Sequence, residues 1–194
     1  REVIIKYIRQ LLEIDRRLTP FTILGLEKFV KMKCDIPVGN DTITLTLVGT
    51  IDRLDSITSP DGSDQIRVID YKTGGKRLKP LADVDAIFVQ ENLKNPSDYY
   101  LQAFLYSHIV RLKSKTIPVA PALLFIQHAG SDDYNPTLYL GKEPVGDIAN
   151  VSESYMRRLE SVISDIFNPA ISFTPTDERK RCQTCPYAHL CGIS

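Results

Sequence analysis

Two runs of alternating apolar and polar residues, separated by a short turn, constrain the fold of this chain more than any other feature. From Leu26 to Ile36 the apolar side chains fall mainly on even positions, and from Ile43 to Leu47 they alternate with threonines. Side chains of a β-strand point alternately to its two faces, so each run predicts a strand with one buried face. The turn residues Gly39–Asp41 join the two strands into an antiparallel hairpin.

Patterns along the rest of the chain predict helices packed on a mixed sheet. They predict helices over Val3–Leu18, over Ser97–Lys113 and from Ser152 to Asn168, with further strands over Ile66–Lys72, Ala122–Gln127 and Thr137–Leu140. In the second helix we expect a buried face made of Leu101, Leu105, Ile109 and Leu112. This order of elements indicates an α/β or α+β fold in which helices flank a mixed β-sheet.

Length and charge are those of an ordinary globular domain. The 194 residues are 43% hydrophobic and 25% charged, which suits a single domain over 1–194 with a cysteine-bearing segment at 176–194. Lys plus Arg equals Asp plus Glu at 24 each, so a nucleic-acid partner has to be held by local chemistry. The sequence has no pattern of a membrane span or a secretory signal, and we expect no membrane partner and a cytoplasmic location. Because Arg1 starts inside a helical pattern, we also expect an N-terminally truncated piece of a larger protein.

Two aspartates and a lysine form the strongest candidate for a reactive site. Asp70 and Lys72 are two positions apart on the third strand, so both project from one face, and apolar residues before them predict burial. Asp52 ends the preceding strand and comes close to Asp70 if the strands pair. Two carboxylates beside an amine suit a divalent metal ion. The alternative is two ordinary ion pairs, Asp70 with Lys72 and Asp52 with Arg53.

A glutamine and a tyrosine follow on the next predicted helix. Gln102 and Tyr106 are four positions apart and therefore lie on one helix face. Alone they would be a solvated glutamine and a half-buried tyrosine. Their place after the acidic residues and the lysine, on a strand–strand–helix arrangement, favours a common site.

Together these residues resemble a known family. The motifs G-x-I-D-R-x-D, I-D-Y-K-T-G, Q-x3-Y and C-x2-C-x5-C occur in that order. They are similar to the PD-(D/E)XK nuclease domains of the RecB-like group, nearest to the nuclease domain of the B subunit of AddAB-type helicase-nucleases. The resemblance implies a restriction-endonuclease-like core, Mg²⁺ or Mn²⁺ bound by Asp52 and Asp70, Lys72 as the catalytic lysine, and Gln102 and Tyr106 on the DNA side.

The same resemblance implies an activity and partners. Such domains hydrolyse DNA phosphodiesters, here as an exonuclease-type activity in DNA repair or recombination. The implied partners are DNA, the remainder of the longer chain and a helicase subunit.

The residue types suit phosphodiester hydrolysis on chemical grounds as well. Carboxylates hold Mg²⁺, which keeps several waters, and a metal-bound water becomes nucleophilic near neutral pH. The backbone carbonyl of Tyr71 offers a further oxygen ligand. Lys72 can orient the water, deprotonate it or offset charge on the phosphoryl oxygens, and the sequence leaves these three roles open.

One departure from the family pattern bears on activity. The family carries a metal-binding histidine on a helix upstream of the hairpin, whereas Val3–Leu18 contains none. All three histidines follow the site, and we expect His108 to be a surface or core residue. The domain is then either truncated ahead of the histidine or a catalytically inactive DNA-binding or scaffolding module with the same fold. Retention of both aspartates and the lysine favours activity in the intact protein.

The cysteines form a second candidate site. Cys182, Cys185 and Cys191 have the close spacing of metal ligands. By the resemblance they are three ligands of a [4Fe-4S] cluster whose fourth cysteine lies far upstream, so we expect the cluster in the full-length protein and not in this piece. Cys34 shares its register with apolar residues and is expected to be a buried structural thiol. Zinc held with His189, or a metal-free tail, are the alternatives.

Overall fold

The computed structural model describes residues 2–58, 62–74, 78–89, 97–128, 130–131, 134–174, 176 and 179–192. Its helices are α1 (Glu2–Leu18), α2 (Ser97–Lys113), α3 (Ala149–Phe167) and α4 (Arg179–Cys182). Its strands are β1 (Thr22–Val38), β2 (Asp41–Thr58), β3 (Asp64–Lys72), β4 (Val119–Phe125), β5 (Tyr139–Leu140) and β6 (Glu143–Pro144). Short 3-10 turns cover Asp85–Phe88 and Ala188–Cys191. No helix among these residues is both long and apolar enough to cross a membrane.

The main sheet has four strands in the order β1–β2–β3–β4. The predicted hairpin is confirmed: β1 and β2 pair antiparallel from Val38 and Asp41 to Thr22 and Ser56. β3 pairs antiparallel with β2 and parallel with β4, and α2 makes the crossover that a parallel pair requires. The mixed sheet flanked by helices is therefore confirmed, and it is consistent with a restriction-endonuclease-like fold.

Helices cover both faces of the sheet where β3 lies. Val68 belongs to the core beneath α2 and α3, whereas Ile69 belongs to a second core that includes Ile14 of α1. Successive residues of a strand point to opposite faces. Asp70 therefore lies on the α2 face of the sheet and Tyr71 on the α1 face.

α2 has the predicted length, but of the four apolar residues expected on one face only Ile109 is fully buried. Its buried apolar and hydroxyl residues are Ser97, Tyr100, Ala103, Phe104, Ser107, Ile109 and Val110. Leu101 and Leu105 are only partly buried, and Leu112 is 55% exposed. The helix is turned toward its aromatic residues, since Phe104 packs edge-on against Tyr155 of α3 and large rings bury the most apolar area.

Two other helices differ in detail from expectation. α3 begins at Ala149, ahead of Ser152, because Asp147 accepts the Ala149 N–H at 3.0 Å and so caps the helix earlier. In α1 the packed side chains are Tyr7, Leu11, Ile14 and Leu18, and the exposed apolar ones include Ile4, Ile8 and Leu12. The apolar residues of α1 thus occupy two faces, of which the sheet covers one.

The outer edge of β4 is closed by the segment after it. The Tyr134 hydroxyl accepts the Phe125 N–H at 2.6 Å and donates to the Leu123 carbonyl at 2.9 Å. Thr137, where a strand was expected, forms an isolated bridge with Ala122. These contacts satisfy an edge that would otherwise offer free backbone groups to other strands.

We expect Tyr134→Phe to lower the free energy of unfolding by about 1–3 kcal/mol, because it leaves two buried backbone groups without this partner. Denaturant unfolding measures the change. Tyr7→Phe is the matched control, since its hydroxyl accepts a hydrogen bond from the exposed Gln127 side chain at 3.1 Å, and its effect should stay within about 0.5 kcal/mol. Equal losses in the two variants would contradict this account of the edge.

Candidate active site

Asp52 is held against the backbone of β3. The β2–β3 pairing ends at Arg53 and Ile69, and the next step of the same register sets Asp52 opposite Asp70. Here the Tyr71 N–H donates to a side-chain oxygen, Asp52 Oδ2, at 2.7 Å, in place of a backbone carbonyl of β2. The structure therefore brings the two predicted aspartates together at the end of the β2–β3 pair.

Asp70 and Lys72 form an ion pair on the α2 face. Lys72 Nζ lies 2.5 Å from Asp70 Oδ2, and Asp70 is only 5% exposed. The Lys72 ammonium is the partner of this buried oxygen, and Asp70 Oδ2 has no other donor in the described part of the chain. Lys72 Nζ also donates to Gln102 Oε1 at 2.9 Å and lies 4.5 Å from the centre of the Tyr99 ring.

The α2 residues continue this chain of contacts to β2. Gln102 Nε2 donates to the Tyr106 hydroxyl at 3.3 Å. The Tyr106 ring lies directly on Gly49, where any side chain would overlap it. The two predicted helix residues therefore share the site with Lys72, and Gly49 allows α2 to approach β2 this closely.

Sequence reasoning missed two residues of the site. Gly49 opens the G-x-I-D-R-x-D motif, which was a signal for a close backbone approach. Tyr99 carried no such signal, because an aromatic residue early in a helix is ordinarily part of a core. Its ring also packs on Phe125 of β4 at a centroid distance of 5.9 Å.

Of the two ordinary ion pairs in the alternative interpretation, one is present in the structure and the other is not. Asp70 does pair with Lys72, but Asp52 does not pair with its neighbour Arg53. The Arg53 guanidinium lies on the α1 face, with Nη1 2.7 Å from Asp15 Oδ1. Consecutive strand residues point to opposite faces, so Asp52 is left on the face of Asp70.

The electrostatics of Asp70 suit a bound cation. Burial raises the pKa of Asp70 above its ordinary value, the Lys72 ammonium acts in the opposite direction, and the Asp52 charge raises it further. An ionised Asp70 is thus under-compensated by the protein. A divalent cation fits this donor set, since Mg²⁺ is commonly held by one or two carboxylates together with waters and substrate phosphates.

The protein ligands available here are few. Within the described ranges no three side chains of His, Cys, Asp or Glu gather around one point. His108 does not reach the site: its Nδ1 lies 3.0 Å from Ser152 Oγ of α3, and burial lowers its pKa. It is a partly buried histidine that contacts α3. Of the side chains brought together here, the two carboxylates are the ones whose chemistry suits a metal ion.

The C-terminal cysteines are not assembled into a ligand set. Cys182 ends α4, Cys185 follows it, and Cys191 ends the last 3-10 turn, but no three ligand side chains converge among the described residues. Cys34 is a buried thiol of β1 with Sγ 3.9 Å from Glu160 Oε1. The residues as arranged do not fit a [4Fe-4S] cluster, and that assignment stays a prediction.

We expect Asp70→Asn to stabilise the metal-free protein at neutral pH. A raised pKa in the folded state means that stability is lost as the pH rises through that pKa, and asparagine resembles the protonated acid. The gain should therefore shrink to nothing below about pH 3, where the carboxyl is protonated in both states. Denaturant unfolding across a pH series measures it. Asp64→Asn, exposed at the other end of β3, is the control, and a gain of the same size there would contradict the assignment.

We expect Gly49→Ala to destabilise the protein by about 1–3 kcal/mol, because the added methyl displaces the Tyr106 ring. The same substitution in a Tyr106→Ala background should cost much less. A double-mutant cycle of unfolding free energies measures this coupling. An equal cost in both backgrounds would show that the ring is not what Gly49 accommodates.

The comparisons with known proteins agree with this geometry. No curated protein matches the chain significantly. Residues 1–192 match the PD-(D/E)XK nuclease superfamily, and this range includes every residue of the site described above. Since the match covers nearly the whole chain, the protein belongs to the PD-(D/E)XK nuclease superfamily, whose members are generally nucleases.

Proposed function

We propose that this domain hydrolyses DNA phosphodiester bonds with Mg²⁺ or Mn²⁺ held by Asp52 and Asp70. One observation carries the proposal: the buried Asp70 carboxylate lies next to a second carboxylate, Asp52, and its cationic partner among the described residues is the single Lys72 ammonium. A divalent ion there supplies a nucleophilic water and neutralises phosphoryl charge.

The carbonyl of Tyr71 is the third proposed oxygen ligand. In a strand, the N–H and C=O of one residue point to the same side, and the Tyr71 N–H points to Asp52. The Lys72 carbonyl points the other way, where it accepts the Ile126 N–H at 2.9 Å. This alternation supports a Tyr71 carbonyl directed toward the two carboxylates.

Lys72 is proposed to offset charge on the phosphoryl oxygens. Its ammonium lies between the Asp70 carboxylate and the Tyr99 ring, both of which attract a positive charge. Gln102 holds the amine by accepting one of its hydrogen bonds, and Tyr106 orients the Gln102 amide. These contacts fix the amine for an electrostatic role and support it less as a proton acceptor.

The finer assignments are part of the same proposal. The order of the four motifs supports a RecB-like domain of the AddAB type, acting as an exonuclease in DNA repair or recombination. A helicase subunit as partner, the remainder of a longer chain and a cytoplasmic location follow from that likeness. So does an iron–sulfur cluster in the full-length protein, with Cys182, Cys185 and Cys191 as three of its four ligands. An inactive DNA-binding module is the competing function, favoured by the presence of only two side-chain ligands in the described site.

Cleavage of labelled single- and double-stranded DNA tests the proposal. The wild-type chain should cut DNA with Mg²⁺ or Mn²⁺ and stop when EDTA is added. Asp70→Ala and Lys72→Ala should each lower the rate by about 100-fold or more, since the first removes a proposed metal ligand and the second removes a cation that offsets developing charge. Asp64→Ala on the same strand is the matched control and should keep wild-type activity.

DNA binding without cleavage by the full-length protein would favour the inactive module. Full cleavage by Asp70→Ala would contradict the assigned site.

A further inference from the structure

A cluster of buried charges lies on the α1 face of the sheet, directly behind the active site. We call it the reverse-face cluster; its members are Asp15, Arg53, Asp55, Arg67 and Tyr71. Arg67 binds both oxygens of Asp55, at 2.8 and 3.0 Å. Arg53 Nη2 lies 3.0 Å from Asp55 Oδ2, and Arg53 Nη1 donates to Asp15 Oδ1 at 2.7 Å and to the Tyr71 hydroxyl at 3.2 Å.

The centre of the reverse-face cluster is deeply buried, Asp15 at its margin is partly exposed, and the formal charges balance. Arg53 is 2% exposed and Asp55 is 0% exposed, and two arginines face two aspartates. The Phe21 ring covers Arg53, with its centre 4.8 Å from the guanidinium carbon. Buried ion pairs add little net stability compared with apolar residues of the same size, so stability alone is a weak reason for this arrangement.

The position of the reverse-face cluster suggests a different reason. Arg53 follows Asp52 in β2, and Tyr71 follows Asp70 in β3. The two strands are therefore linked twice where their ladder ends: by Asp52 and the Tyr71 N–H on one side, and by Arg53 and the Tyr71 hydroxyl on the other. A shift of one residue between the strands would turn each of these side chains to the wrong face.

We propose that Arg53 and Tyr71 are positioning residues, which hold the Asp52 and Asp70 carboxylates at the separation that a divalent cation requires. Tyr71 is the central member, because its side chain is fixed on the α1 face while its backbone N–H binds Asp52. Asp15 extends this support to α1, so the placement of that helix also bears on the site. The inference rests on the proposed function only in its use of a metal ion.

Two conservative variants test this inference. Tyr71→Phe removes only the hydroxyl that Arg53 binds, and Arg53→Lys keeps the charge but cannot make all the guanidinium contacts. The matched controls lie outside the active site. Tyr100→Phe removes a buried hydroxyl that donates to the Tyr139 carbonyl at 2.9 Å, and Arg111→Lys alters an arginine that pairs with Asp147 at 3.0 Å.

The first measurement is hydrogen exchange of the residue 71 amide by NMR, without metal. Both test variants should exchange this amide faster than the wild type, because the hydrogen bond to Asp52 opens more often. The second measurement is calorimetric titration with Mn²⁺ alone. The test variants should bind Mn²⁺ about 10–100-fold more weakly, the range usual for residues that support metal ligands, while the controls keep wild-type affinity.

The outcomes separate this inference from the proposed function. Test variants that match the controls in Mn²⁺ affinity, at comparable thermal stability, would overturn the positioning role. If the wild type neither binds Mn²⁺ nor cuts DNA, the proposed function fails, and the amide exchange still decides the inference. Unchanged exchange at residue 71 in both test variants would overturn it, and faster exchange in them alone would support it.

Discussion

The site depends on one hydrogen bond, from the Tyr71 N–H to the Asp52 carboxylate. It forms where the ladder between β2 and β3 stops, and it replaces a backbone acceptor with a side chain. One carboxylate oxygen is thereby fixed to the neighbouring strand beside Asp70. A backbone N–H is a rigid donor, so this contact places an acidic group more closely than a second flexible side chain would.

A change of face in β2 makes this arrangement possible. Gly49 contacts Tyr106 on the α2 face, yet Arg53, which has the same parity in the strand, contacts Asp15 on the α1 face. Regular alternation would put both on one side. The neighbouring strand is irregular at this level, since Glu27, opposite Asp52 in the register, has a positive φ of 46°. Consequently, the odd-numbered Gly49 lies on the α2 face, whereas the odd-numbered Arg53 lies on the α1 face and its neighbour Asp52 lies on the α2 face.

Where β2 and β3 end their pairing, the sheet carries buried charged side chains on both faces. On the α2 face, one ammonium, that of Lys72, lies beside the two neighbouring carboxylates Asp70 and Asp52. On the α1 face, Asp55 is surrounded by two arginines and no comparable deficit of positive charge exists in the reverse-face cluster. Buried polar atoms without a hydrogen-bond partner occur on both faces, since Arg53 Nε and Nη2 also lack one among the described residues, and the two faces differ in their balance of charge.

The sequence by itself determined the elements and the candidate residues. Alternation in Leu26–Ile36 required the hairpin, and the spacing of Asp70 with Lys72 and of Gln102 with Tyr106 required each pair to share a face, because such periods are local properties of strands and helices. Only the tertiary structure decided that Asp52 binds the Tyr71 amide, that Arg53 turns away from it, and that α2 buries Phe104 in preference to Leu112. These outcomes depend on an irregular strand and on which surfaces the other helices leave open. The apolar periodicity of a single segment contains no information about either.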